Sequence, residues 1–568
     1  MDTRHNGTRV SRRSLIGGAA AGAAGLSVAQ LQAKAAAHGV DFTSAHVVRQ
    51  EGQAGGRLIY GLGFDLDGTM DPQVTNFDST IRVTMNICEP LVWMPAADTF
   101  VPGLAESWTI SEDGSEYTFV LKQGVTFHDG TPFNAEAVQF TFDRVVANRL
   151  QTEGTPAAEP DIVILSGQAR DHLGPYSHSE IIDDYTIKVV LTSAFTPFLS
   201  GINGYLGIVS PTAVRTMGIE AFARAPVGTG PYKFGEWVEN DHVTLIKNPD
   251  YNWGSSFFSN TGAPFFDEIE YRVITDVSIR TGTITTGETQ YIDAIDPLQL
   301  PDLEANPEVE VIKYDQPGSG RILLFNLDRE GPIADQNVRL AMHYALDKVA
   351  FNEAVYGGLN IPAASPLMRA TVGYDPTTET MFSYDVARAN QLLDEAGWVM
   401  NGDFREKDGV PLRLEWPTQQ REPDVSTATF CQGAWREIGI DVNVEILEPA
   451  ILRTRIREEI AYDITPLWFS YADPDVLRTI FWSGNIGNFN RSRLNDPAVD
   501  ELLISAFQAI DPAERASLYA QVQQMVLSVG ATIPLVDTIV YNAKRANLEG
   551  DAIDYAASYV WLNSAQFV

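Results

Sequence analysis

Cysteine is nearly absent. The chain of 568 residues holds two, Cys88 and Cys431. Two thiols so far apart exclude a disulfide-rich scaffold and any metal site built on closely spaced Cys pairs. They leave two readings open, one long-range disulfide or two buried free thiols. Histidine is scarce too, with eight in all, and none falls in an H-E-x-x-H pattern. Neither a P-loop nor a G-x-S-x-G nucleophile elbow occurs. Basic residues are outnumbered, 40 Lys and Arg against 74 Asp and Glu, for a formal charge of −34. That balance argues against nucleic acid and anionic membrane surfaces, which select basic patches. The acids read as a solvated surface and identify no ligand. Beyond the N-terminal region no stretch reaches the roughly 18 unbroken apolar residues that a membrane-spanning helix needs.

What is present begins with an address. Ser11-Arg12-Arg13-Ser14-Leu15 sets two arginines before a mildly apolar, Gly- and Ala-rich stretch that runs to Leu31. Small residues at Ala33, Ala35 and Ala37 suit a signal peptidase. The pattern resembles a twin-arginine export signal over 1–37 and predicts a periplasmic mature protein. No cysteine stands near the cleavage region, so a lipid anchor has no attachment point. Residues 38–56 read as a flexible leader.

Past the leader, strands and helices are interspersed. Arg57 to Gly63 is a short apolar strand; Gly61-x-Gly63 lacks the third glycine and the following helix of a dinucleotide fingerprint. Trp108 and Ile110 alternate, Asp113-Gly114 reverses the chain, and Tyr117, Phe119 and Leu121 alternate back. Asn134 caps a helix with Val138, Phe142 and Val145 on one face, and Tyr185 to Leu191 has strand period. Tyr232/Phe234 and Val243/Leu245 form a hairpin that reverses at Asn240-Asp241. Later, Asp335 predicts a helix carrying Val338, Met342, Ala345 and Val349. Residues 385–396 present Val386, Ala389, Leu392, Leu393 and Ala396 as a stripe, stopped by Gly397. Asp496-Pro497 and Asp511-Pro512 open two more helices. No repeat period points to a solenoid, and the pattern is that of mixed α/β lobes.

Six strings in order carry a family resemblance. They are Glu89-Pro90-Leu91 with Val101-Pro102-Gly103-Leu104-Ala105-Glu106-Ser107-Trp108, then Phe127-His128-Asp129-Gly130-Thr131-Pro132, then Gly228-Thr229-Gly230-Pro231-Tyr232. Val338-Arg339-Leu340-Ala341-Met342-His343-Tyr344-Ala345-Leu346-Asp347-Lys348, Leu392-Leu393-Asp394-Glu395-Ala396-Gly397-Trp398 and Asp473-Pro474-Asp475 follow. Together they resemble the extracytoplasmic solute-binding proteins of family 5, which serve ABC importers of peptides, nickel and related solutes. The resemblance covers nearly the whole mature chain. It implies a bilobal α/β clam-shell of the periplasmic-binding-protein type II, with an extra domain on the first lobe. The first lobe spans 57–318 with the insertion at roughly 91–228, the second spans 319–537, and 538–568 returns to the first. It also implies a small-molecule solute held between the lobes, an inner-membrane ABC permease as partner, a monomer, no cofactor and no catalysis.

Candidate contacts follow from composition. Trp468-Phe469-Ser470-Tyr471-Ala472-Asp473 packs aromatics and acids beside a Pro turn. Indole and phenol faces stack on apolar or sugar groups and hold cations. Trp468, Phe469, Ser470, Tyr471 and Asp473 are therefore candidate solute contacts, with strand core and helix capping as the plain alternative. Asn86 and Glu89 stand where the family's cleft begins. Ser319, Arg321 and Asn326 lie around the Leu323-Leu324-Phe325 strand, and Arg321 could face a solute carboxylate or a surface acid. In peptide-binding relatives an aspartate stands four positions before the proline and pairs with the peptide's α-ammonium; here that position is Ser470. The departure gives weight to oligosaccharide or opine-like solutes beside peptide. Two further classes stay in view: a hydrolase acting in the same cleft, and a chaperone or signalling receptor. His172 and His178 flank Gly174-Pro175 and form a metal candidate set against a solvated polar loop.

Overall fold

The computed structural model describes residues 55–75, 77–152, 168–555 and 560–568. The expected export signal and the leader as far as residue 54 lie outside the described residues. The leader's last two glycines do not hang free: Gly55 N donates to Phe265 O at 2.9 Å and Gly56 N to an Asp267 carboxylate oxygen at 3.1 Å.

Three sheets of four or more strands occur among the described residues. The largest has seven, in the order Val309–Asp315, Ile539–Arg545, Tyr291–Ile292, Arg57–Leu62, Glu268–Val273, His242–Lys247 and Tyr232–Val238. Its edge is the expected hairpin, with Phe234 opposite Leu245 and Asn240 at φ 59° in the reversal. A second sheet runs Ile361–Pro362, Thr532–Asp537, Gly318–Phe325, Ile464–Ser470, antiparallel throughout. The third is the antiparallel meander Ala105–Ile110, Glu116–Leu121, Thr186–Leu191, Tyr176–Asp183. The helix Ala135–Thr152 packs on it through Val138, Phe142 and Val145, and Asn134 caps that helix by accepting from Ala137 N at 3.2 Å.

The chain passes between the first two sheets twice. It leaves the seven-stranded sheet after Asp315, enters the four-stranded one at Gly318, and returns between Asp537 and Ile539. The passages run side by side, and Gln316 N donates to Thr538 O at 3.2 Å. Two adjacent short crossings give few backbone dihedrals to turn, the geometry of a hinge.

The capping carboxylates at Asp385, Asp496 and Asp511 each accept a first-turn N–H, and so does Asp335. The Asp335 helix is shorter than its stripe suggests. It ends at Tyr344, and a new helix, Lys348–Tyr356, begins where the Asp347 carboxylate accepts from Val349 N and Ala350 N. Val349 therefore sits exposed in a first turn and not on the core stripe. A second capping aspartate inside an apolar period ends one helix and starts another. The cysteines are both free. Cys88 packs under the seven-stranded sheet and Cys431 in the core beside the four-stranded sheet, and burial pushes both thiols up.

Candidate functional site

The strand Ile464–Ser470 ends beside a small cavity that opens to solvent. Phe469, Ser470 and Tyr471 form one wall; Asp171, His172 and Tyr205 form another. Asp171 and His172 belong to the helix Gln168–Leu173 that precedes the meander strand Tyr176–Asp183, and Tyr205 follows the helix Phe198–Ile202. The cavity thus lies where the meander body meets the four-stranded sheet.

Rings dominate this contact. His172 stacks on Tyr205 with centroids 4.0 Å apart and planes 6° from parallel, and Tyr471 lies 5.3 Å from His172. His172 Nδ1 and the Tyr471 hydroxyl are 3.4 Å apart, and Tyr205 donates its hydroxyl proton to the Ser470 carbonyl at 3.0 Å. Phe469 meets Phe489 edge to face at 5.0 Å. Burial, aided by the Arg478 charge, pushes His172 down to about 3, so the imidazole is neutral through the physiological range. A neutral ring and two phenols offer stacking faces and hydrogen bonds, and Asp171 adds a carboxylate to the wall.

Two glycines make the strand approach possible. A Cβ on Gly318, at φ 119°, would meet Phe469 O at 2.2 Å, and one on Gly320 would meet Val536 O at 2.2 Å. The pairing shifts register between Ser319 and Ile322, and such bulges re-aim side chains. Arg321, inside the bulge, sets its guanidinium 3.6 Å from the Trp468 ring centroid, and Arg421 lies 4.9 Å from the same ring. Both arginines donate to Asp424, each at 3.1 Å. Two cations share one buried carboxylate, leaving a net positive spot on an acidic protein. Trp468 is 37% exposed. It stands one residue before Phe469, on the alternate face of the strand, and does not line the Tyr471 cavity.

Asp473, Asn86 and Glu89 are engaged internally. The Asp473 carboxylate accepts from Arg515 at 2.5 Å, from Ser200 at 3.3 Å and from Asp475 N at 2.8 Å. Asn86 is fully buried and donates to Arg82 O and the Tyr271 hydroxyl, both at 3.1 Å. Glu89 accepts from Tyr251 at 2.7 Å, Thr229 at 2.9 Å and Trp253 at 3.0 Å. Ser319 is buried beside Phe469, and Asn326 donates to Tyr462 O at 3.1 Å. Glu89→Gln is expected to lower the unfolding free energy by about 2 kcal/mol, because an amide cannot satisfy three donors. Urea unfolding checks this, and solute affinity is expected to stay unchanged.

His172 and His178 do not share a site. His172 is buried against Tyr205, whereas His178 is exposed on its strand beside Glu180. The chain alternation and Gly174-Pro175 turn them apart, and among the described residues no His, Cys, Asp and Glu grouping fits a metal. The contacts that sequence reasoning missed are Tyr205, Phe489 and Arg421. Tyr205 and Phe489 carry no local motif, and Arg421 follows a strand with nothing nearby to mark it.

Comparison with known proteins matches this geometry. A family model described as bacterial extracellular solute-binding proteins, family 5 Middle, covers residues 99–489. The glutathione-binding protein GsiB of Shigella dysenteriae serotype 1 is 27% identical over 512 residues, 85% of this chain and 89% of that protein. Among solved structures, the ABC transporter-associated periplasmic binding protein DppA of Helicobacter pylori, in complex with peptide STSA, aligns with a TM-score of 0.76 and 26% identity. That alignment covers 91% of this chain and 98% of DppA. NikA of Brucella suis, in complex with Fe(III)-EDTA, has a TM-score of 0.75 at 23% identity, with 90% and 100% covered, and shares the fold. Two sheets joined by paired crossings, a meander body and a cavity at their junction are the bilobal type II periplasmic-binding fold, and the chain belongs to the bacterial extracellular solute-binding proteins of family 5.

Proposed function

We propose that this chain captures a small organic solute between its lobes and delivers it to an inner-membrane ABC permease, performing no bond-making of its own. The observation that carries the reading is the Tyr471 cavity, whose walls come from the meander body and from the end of the four-stranded sheet. A solute seated there would touch both and stabilise one closed shape for a permease to recognise. We place the lobes at 57–318 and 319–537, with an insertion at roughly 91–228 and a return over 538–568. A periplasmic location follows from the family and from the twin-arginine signal read at 1–37; among the described residues no helix is long and apolar enough to cross a membrane.

Peptide is the first cargo class, supported by relatives named for glutathione and crystallised with a peptide. The solute would contact Phe469, Ser470 and Tyr471 with His172 and Tyr205. The Arg321–Trp468–Arg421 group would seat an anionic end, since two guanidinium groups face one carboxylate there. A second reading, an oligosaccharide or opine-like solute without a free amine, is favoured by Ser470 and by the commitment of Asp473 to Arg515.

A thermal-shift screen of the mature protein tests the function, with glutathione, di- and tripeptides, oligosaccharides and opines. Selective binding to the folded state raises Tm by mass action. For the solute found, Tyr471→Ala is expected to weaken binding at least about tenfold, and Trp468→Ala by about fivefold or more, with the fold intact. Unchanged affinity in Tyr471→Ala removes the cavity from the reading. A solute converted to another compound during incubation would restore the hydrolase alternative.

A further inference from the structure

The backbone of the two crossings is held from outside. Gln316, Gly318, Thr538 and Ile539 each bring an N–H group to them, and Pro317 has none. Gln316 N ties one crossing to the other through Thr538 O. The remaining three donate to side chains, and all three side chains come from one segment, Asn360 to Thr371. Gly318 N donates to Thr371 Oγ1 at 2.7 Å, Thr538 N to Met368 Sδ at 3.2 Å, and Ile539 N to Asn360 Oδ1 at 3.0 Å. Thr371 gives its hydroxyl proton to Gly318 O at 3.1 Å, and Met368 N donates to the same carbonyl at 2.9 Å. Arg369 holds the Asp537 carboxylate through Nη1 at 2.6 Å and through its backbone N–H at 3.3 Å.

The segment touches both bodies. Ile361–Pro362 pairs with Val536 and Asp537 at the edge of the four-stranded sheet. Just before it, Leu359 packs with Ile284, Ile292 and Leu300 beside the seven-stranded sheet, and its carbonyl accepts from the Tyr541 hydroxyl at 3.2 Å. Further on, Ala370 O accepts from the Tyr555 hydroxyl. In a free hinge the backbone N–H groups can donate to water. Here Met368 and Thr371 are buried, so the crossings cannot turn far without parting from their acceptors. Asn360 and Met368 stand in the second lobe, whereas Thr538 N and Ile539 N lie on the return to the first, so these two bonds span the pivot itself.

We propose that Asn360 to Thr371 is a clasp on the hinge, which fixes the angle between the lobes and must let go when they part. The clasp biases the equilibrium between held and open forms, and so tunes solute affinity from outside the pocket. The assignment rests on the lobes placed at 57–318 and 319–537.

The test measures the separation of the lobes in the solute-free mature protein by double electron–electron resonance. Spin labels go on Asp250→Cys and Glu437→Cys, one exposed position on each lobe, while the buried Cys88 and Cys431 stay unlabelled. The parent is expected to give one narrow distance distribution. Thr371→Val and Asn360→Ala each remove one acceptor, and each is expected to raise the population outside that peak about two- to tenfold, the pair more than either. Met368→Leu keeps the volume, loses the sulfur acceptor and serves if Thr371→Val fails to fold. Glu89→Gln, which weakens a network away from the hinge, is expected to leave the distribution as in the parent. A parent already broad, no change in any clasp variant, or the same broadening in Glu89→Gln would each overturn the clasp. No solute enters the readout, so a failed thermal-shift screen leaves the result standing, and a free hinge leaves the Tyr471 cavity in place.

Discussion

Asp473→Ala is expected to reduce the unfolding free energy by about 3–5 kcal/mol, the usual cost of leaving one member of a buried ion pair alone. Asp473 is 3% exposed, and its carboxylate holds the Arg515 guanidinium at 2.5 Å. Next to it Asp475 holds Arg478 at 2.7 Å and accepts from Tyr519 at 3.0 Å. Burial pushes Asp475 up against the pull of Arg478. Arg478 in turn lies over Phe195 and Phe507, and Ser200 donates to Asp473. The network therefore fastens the meander body to the helices Val476–Phe481 and Pro512–Ser528. Urea unfolding should show the midpoint falling with an unchanged m-value. Arg515→Met in the same chain removes the orphaned cation and is expected to recover more than half of the loss. Strict additivity of the two substitutions would show that the pair is not the source.

Ser470→Asp is expected to raise affinity for peptides with a free amino terminus by about 10- to 100-fold, the worth of a charge-assisted hydrogen bond of about 1.5–3 kcal/mol in a desolvated site. Ser470 lines the Tyr471 cavity, and its carbonyl already accepts from the Tyr205 hydroxyl, so the backbone there is held. A carboxylate at this position joins Asp171, the phenols and a neutral His172 ring around the cavity, and an ammonium would be its natural partner. The measurement is calorimetry with a tripeptide and its N-acetylated counterpart. The free amine should gain and the acetylated form should not. Equal changes for both would mean that position 470 does not face the amino end.

Much of the fold is legible in the chain because its causes are local. The hairpin at Tyr232 to Lys247, the caps at Asp335, Asp385, Asp496 and Asp511, and the period of Thr186–Leu191 each depend on a few neighbouring residues. The Asp335 helix shows the limit. Its apolar period runs past Tyr344, and only the competing Asp347 cap ends it.

The candidate site divides in the same way. Composition alone marks the aromatic stretch from Trp468 to Asp473 as one that could form a wall, and the six ordered strings identify the family. Which faces of that stretch meet the cavity depends on strand alternation, which sends Trp468 to Arg321 and Arg421 while Phe469 and Tyr471 meet Phe489 and His172. The pairing of Asp473 with Arg515, and of Tyr471 with a histidine and a tyrosine from another body, exists only once the bodies pack. Local propensity is written in residue order, whereas a binding surface is assembled by contacts between segments hundreds of residues apart, and those are fixed by how apolar faces are buried together.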